Sequence, residues 1–245
     1  GYCSRRKAEE YLKQGFVEVN GIQITEMGFQ CTIEDEIRIE GKIINPKEEK
    51  KTVYLMINKP TGVISTASDP QGRETVLDLI PPKYGRVFPV GRLDQNSQGL
   101  LILTNDGEFA NLVTHPSSAP EKQYIVHVKN PVHGDEIEKL RKGLYIITEG
   151  YKAASAQAEV VEDGEQDSVF SVTIHEGKKR EVRHMMETLG HPVLSLTRIR
   201  IGNIFLGNLP EGKYSEIDLQ SIRVLKEECL KNKSENKKQP NRIRE

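Results

Sequence analysis

The chain reads as an α+β protein: a small N-terminal module, then a larger domain on a mostly antiparallel mixed sheet with flanking helices. Three observations predict this. Apolar runs near residues 53–57, 87–90, 100–104, 124–128 and 169–175 have strand length rather than helix length. Helical stripes near 106–113, 135–142 and 178–189 are too few for the strand–helix alternation of a parallel sheet. Residues 45–51, with Pro46 and a Lys/Glu run, have the composition of a linker. The expected division is therefore 1–48, 52–225, and a basic tail over 226–245.

Each element has a local reason. Residues 4–15 form a helix with Ser4 as N-cap, Ala8, Tyr11 and Leu12 on one stripe, and Gly15 as stop. Val17, Val19, Ile22 and Ile24 alternate about Asn20-Gly21, a strong short hairpin signal. Ile37 and Ile39 give a further short strand. In the larger domain, Asp106 caps a helix carrying Phe109, Leu112 and Val113. Val182, Met185, Met186 and Leu189 share another helical stripe that Gly190 ends. The apolar phase shifts between Leu194/Leu196 and Ile199/Ile201, so a bulge is expected near Arg198. Residues 226–245 lose periodicity and carry seven Lys/Arg against four Asp/Glu, which reads as disorder.

Composition narrows the function classes. With 36% apolar residues among 245, the chain can bury a core. No segment approaches the ~20 continuous apolar residues of a membrane span, and the chain opens onto a charged helix, so no membrane partner and a cytoplasmic location are expected. Cys3, Cys31 and Cys229 form no CxxC or Cys/His pattern, which suits reduced thiols. The six histidines are scattered without ligand spacing, and no Gly-rich phosphate loop occurs, so neither metal nor cofactor is expected. Asp94, Asn96 and Gln98-Gly99 imitate the start of a calcium loop, but the twelfth position is Asn105 instead of a bidentate Glu. A net charge of −1 leaves any nucleic-acid binding to local patches.

The most informative segment is Gly91-Arg92-Leu93-Asp94-Gln95-Asn96-Ser97-Gln98-Gly99-Leu100. A carboxylate, with a cation two residues before it, stands on a polar turn between two apolar runs, as a group held at a cleft for chemistry would. Lys178, Lys179 and Arg180 fall at an expected helix start, where cations oppose the helix dipole, so phosphate binding explains them better than decoration. The ten-residue word, Glu121-Lys122-Gln123-Tyr124, and Glu176-Gly177-Lys178-Lys179-Arg180-Glu181-Val182-Arg183-His184-Met185 together resemble the catalytic elements of the pseudouridine synthases, in the branch represented by RsuA, RluB and RluF. The wording is nearest the RluF type, then the RluB type. Cys3-Ser4-Arg5-Arg6-Lys7-Ala8-Glu9-Glu10 and Val17-Glu18-Val19-Asn20-Gly21 resemble the S4 RNA-binding domain, which opens with a further helix, so an N-terminally truncated module is expected.

The resemblance implies roles. Asp94 is the nucleophile, and Arg92 holds or replaces the extruded base. Tyr124 stacks on the flipped uracil and assists loss of the C5 proton. Arg183 pairs with Asp94 and keeps it ionised. Val182 lines the base pocket, while Leu93, Gln95, Lys122, Lys179, Arg180 and Glu181 complete the substrate contacts. Arg5, Arg6 and Lys7 grip RNA. Lys59-Pro60-Thr61-Gly62-Val63 resembles the family's turn beside the active site. The implied partner is 23S ribosomal RNA, with a tRNA anticodon loop of similar shape as a further target, and the implied state is a monomer. The rival reading is a non-catalytic S4-type RNA-binding or ribosome-assembly factor, which would need no buried carboxylate–arginine pair. A glycosidase would need a second carboxylate in a matching context, and only Asp94 has one.

Overall fold

The computed structural model describes residues 2–44 and 51–238. The chain divides into two compact units, Gly1–Thr52 and Val53–Glu245. Apart from Lys51, the expected linker lies outside the described residues.

The first unit holds helix α1 (Arg5–Lys13) and strands β1 (Val17–Val19), β2 (Ile22–Ile24), β3 (Ile37–Ile39) and β4 (Lys42–Ile44), in the antiparallel order β2-β1-β3-β4. Ser4 caps α1 as expected, its Oγ accepting the Lys7 N–H at 3.1 Å. Asn20 and Gly21, at φ 51° and 77°, make the left-handed pair that a two-residue hairpin requires. Glu40 and Gly41 repeat it at 51° and 74° and add β4, which the sequence did not announce because Glu is an uncommon residue there.

The second unit runs through β5 (Tyr54–Lys59), β6 (Phe88–Val90), β7 (Gln98–Thr104), α2 (Gly107–Thr114), β8 (Lys122–Lys129), α3 (Gly134–Lys142), β9 (Tyr145–Ile146), β10 (Tyr151–Lys152), β11 (Gln157–Asp163), β12 (Asp167–Ile174), α4 (Glu181–Thr188), β13 (Val193–Ile201), β14 (Ile204–Phe205), β15 (Tyr214–Glu216) and α5 (Leu219–Lys238). Its main sheet has the order β11-β12-β8-β13-β7-β5-β15, with β6 on β7 and β14 on β13. Only β13–β7 is parallel among these pairings, which matches the expected mixed, mostly antiparallel sheet. The expected bulge is present: the β13–β8 register shifts between Arg198 and Arg200.

Strand β7 explains the layering. Leu101 and Leu103 join one core cluster with Tyr124, Val126, Leu140, Val182 and Met185, whereas Leu100 and Ile102 join another with Phe109, Val113, Ile222, Leu225 and Cys229. Helices therefore cover both faces, and the strand reads as a continuous apolar run instead of an alternating one.

Two expectations are corrected. Helix α4 begins at Glu181, not at 178, because Arg180 adopts a left-handed conformation (φ 55°, ψ 23°) just before it. The stretch 226–238 is not a disordered tail but the body of α5. Ile222, Leu225 and fully buried Cys229 pack into the core, Lys226 pairs with Asp106 at 3.0 Å, and Asn232 and Asn236 donate to the carbonyls of Ala119 (3.1 Å) and Ser117 (2.9 Å). The last seven positions, 239–245, lie outside the described residues.

Candidate active site

Asp94 is half-buried on the turn that joins β6 to β7, and its carboxylate makes no hydrogen bond among the described residues. The chain around it is fixed at nearly every step. The Ser65 Oγ accepts the Leu93 N–H (3.1 Å) and donates to the Leu93 carbonyl (2.8 Å). Gly62 N–H donates to the Gln95 carbonyl at 2.9 Å, and Gln95 Nε2 donates back to the Gly62 carbonyl at 2.9 Å. Ser97 N–H closes the turn onto the Asp94 carbonyl at 3.0 Å. Arg183, on α4, donates from Nη2 to the Asn96 carbonyl (2.7 Å) and to Ser97 Oγ (3.3 Å). Two segments, 62–65 and α4, thus hold the turn while the Asp94 carboxylate is left free, an arrangement suited to preorganising a reacting group.

Below the turn, one row crosses four strands in register: Lys59 (β5), Gly99 (β7), Arg198 (β13) and Tyr124 (β8). Gly99 is the gap that lets β13 approach: at φ +107°, an added Cβ would lie 2.7 Å from the Arg198 nitrogen and closer still to its carbonyl oxygen. Arg198 donates from Nε to the Leu100 carbonyl at 2.8 Å. Lys59 is fully buried, with Nζ donating to the Pro60 carbonyl at 2.7 Å. Burial pulls its ammonium down to about 8, against the attraction of Asp94 and with the repulsion of Arg198. Lys122 is likewise drawn down to about 8 by burial and then by Arg198. Burial also lowers Arg183, which Asp94 pulls back up. Asp94 therefore stands in the positive field of two buried cations, Lys59 and Arg183, that it does not touch.

The sequence-derived residues fall into groups. Asp94, Tyr124, Val182 and Arg183 belong to this region, with Tyr124 and Val182 buried in the same cluster. The expected ion pair between Arg183 and Asp94 is not formed: no N–O distance within 4.0 Å joins them, and the guanidinium grips the backbone two residues on. Leu93, expected to contact substrate, packs into the core at 6% exposure and anchors the turn from below. Glu181 is also buried and accepts the Lys178 N–H at 3.1 Å. Arg92 and Gln95 are exposed. Lys122 donates to the Pro120 carbonyl at 3.3 Å. Lys178 to Arg180 precede α4 rather than occupy its first turn; Lys178 and Arg180 pair with Glu176 (2.8 Å) and Glu187 (3.4 Å), while exposed Lys179 makes no ion pair among the described residues. Arg5, Arg6 and Lys7 are exposed on α1 in the other unit, Lys7 pairing with Glu10 at 3.0 Å. Ser65 and Arg198 were missed, because their roles depend on contacts 28 and 98 residues away.

Comparison with known proteins agrees with this architecture. Residues 53–188 match the model of the RNA pseudouridylate synthase family. The ribosomal large subunit pseudouridine synthase B of Bacillus subtilis (strain 168) is 40% identical over 228 residues, covering 92% of this chain and 91% of that protein. The dual-specificity RNA pseudouridine synthase RluF of Escherichia coli (strain K12) is 35% identical over 217 residues, covering 89% and 72%. Overall identity thus orders these two relatives opposite to the motif wording. A crystal structure of a pseudouridylate synthase superposes with a TM-score of 0.67 at 28% identity, covering 91% of this chain and 94% of that one. The chain belongs to the RNA pseudouridine synthase family, isomerases that convert uridine in RNA to pseudouridine.

Proposed function

We propose that this enzyme isomerises a uridine of large-subunit ribosomal RNA in the cytoplasm, with Asp94 as nucleophile. The observation that carries the reading is the clamped turn: every peptide flanking Asp94 is held while its carboxylate stays free and faces two buried cations. A carboxylate suffices because the reaction is redox-neutral. The N1–C1′ bond breaks and a C5–C1′ bond forms; C5 loses a proton and N1 gains one. A covalent intermediate divides that exchange into easier steps. The target base must leave its stack, at a cost of a few kcal/mol, and Tyr124, in register with Gly99 across Arg198, is the aromatic group proposed to receive it. Arg92 and Lys179, both exposed, supply cations for the flanking backbone. The N-terminal unit, with exposed Arg5, Arg6 and Lys7 on α1, acts as an S4-like grip on RNA structure. The choice of large-subunit RNA follows the name of the Bacillus subtilis relative; the RluF name prints a dual specificity for RNA, and the tRNA anticodon loop expected from the sequence is the second substrate to test.

The test is tritium release from RNA carrying 5-tritiated uridine, using large-subunit, small-subunit and tRNA transcripts. Large-subunit RNA releases tritium with wild type. Asp94→Asn lowers the rate at least about 1,000-fold while melting and RNA affinity stay unchanged, because no hydrogen-bond partner loses its contact. Release by the variant near the wild-type rate overturns the nucleophile. Binding without release from any RNA favours the non-catalytic factor.

A further inference from the structure

Ser65 does an unusual amount for one hydroxyl. It lies in the connection after β5, is 9% exposed, and faces the backbone of Leu93, the residue immediately before Asp94. Leu93 belongs to no strand ladder, so neither its N–H nor its carbonyl has a sheet partner. Ser65 Oγ satisfies both, accepting at 3.1 Å and donating at 2.8 Å. A hydroxyl is the smallest group able to accept and donate at once. An alanine would strand two buried backbone groups, and with Leu93 itself 6% exposed, water could replace the hydroxyl only by opening the core. The other clamps act downstream, at residues 95, 96 and 97. On the upstream side the Leu93 side chain is held in the core, and among the described residues Ser65 supplies the hydrogen bonds that fix the Leu93 peptide groups, whose plane sets the direction in which Asp94 leaves the backbone.

We propose that Ser65 is a positioning residue for the isomerisation: its hydroxyl locks the Leu93 peptide groups and so aims the Asp94 carboxylate, without touching substrate. The proposal rests on Asp94 being the nucleophile. A misplacement of about 1 Å in a reacting group costs on the order of 100-fold in rate, so the effect belongs in the chemical step and not in RNA affinity.

The experiment uses the full chain with a 5-tritiated large-subunit RNA transcript at saturating enzyme, measuring the single-turnover rate and, separately, RNA affinity, well below each variant's melting temperature. Ser65→Ala slows the chemical step by about 10- to 100-fold and leaves affinity within about twofold. Ser65→Thr and Ser65→Val add the same bulk and differ only in the hydroxyl, so Thr retains most of the rate that Val loses. A folded Ser65→Ala with the wild-type rate overturns the proposal, as does a loss equal in Thr and Val, or one confined to affinity. If both β-branched variants fail to fold, Ala against wild type decides alone. A wild type that releases nothing from any RNA overturns the Asp94 reading and this proposal with it; an active wild type with an unaffected Ser65→Ala overturns this proposal only.

Discussion

Arg183 reaches the Asp94 turn by a contact other than the expected one. The sequence pointed to an ion pair with Asp94; the side chain instead reaches the Asn96 carbonyl and Ser97 Oγ, and acts on Asp94 through space. Arg183→Ala therefore strands two groups in the turn and costs about 1–3 kcal/mol in a urea melt, together with a loss of turnover. Arg183→Lys recovers only part of the turnover, since the lysine chain is one atom shorter and does not carry its nitrogen to the place where Nη2 meets both acceptors. Glu181, the first residue of α4, makes a different prediction. Burial and the neighbouring Glu176 push its carboxyl up from 4.5 to about 7, while Lys178 opposes the shift. The neutral form is favoured in the folded state, so stability is greatest below about pH 4.5 and falls as pH rises to about 7. Glu181→Gln keeps an acceptor for the Lys178 N–H and removes the charge. It melts like wild type near pH 4 and is more stable by roughly 3 kcal/mol at pH 8; equal melting at both pH values contradicts the buried, strained carboxylate.

At the scale of elements, helix α5 is the clearest instance of what the sequence concealed. Its inward positions are 222, 225, 229, 232 and 236, a regular alternation of three and four, but the last two are asparagines. They dock through hydrogen bonds to carbonyls instead of apolar burial, so a search for hydrophobic periodicity stops at Cys229. Removing residues 226–245 is accordingly expected to destabilise the catalytic unit by at least about 2–3 kcal/mol, read from thermal melts; an unchanged melt would mean that α5 is dispensable. The same logic explains α4, whose apolar stripe was legible while its left-handed start at Arg180 was not. Strand β11 escaped notice because it is a bulged edge strand with exposed Val160 and Val161 among glutamates. By contrast, the Asn20-Gly21 hairpin and the Ser4 and Asp106 caps are local chemistry and stood where the sequence put them.

For the whole molecule, the legible part of the candidate site was the part written in contiguous words, around Asp94, Tyr124 and Arg183. The rest exists only once strands distant in the chain are in register. Gly99 concentrates that dependence, since β7 and β13 meet there with no room for a side chain. Gly99→Ala is expected to cost about 3 kcal/mol or more and to remove turnover in whatever fraction stays folded, measured by urea melts and tritium release; a wild-type melt would mean that the two strands can separate freely.

The β7–β13 contact also orders events in time. During synthesis the Asp94 turn leaves the ribosome long before Arg183 and Arg198, one of which clamps it while the other braces the strand below. Domains of this size fold as units, and parallel pairings across such separations close late. A nascent or prematurely terminated chain therefore carries the Asp94 carboxylate on an unbraced loop, and the turn gains its clamped geometry only when nearly the whole catalytic unit has been made.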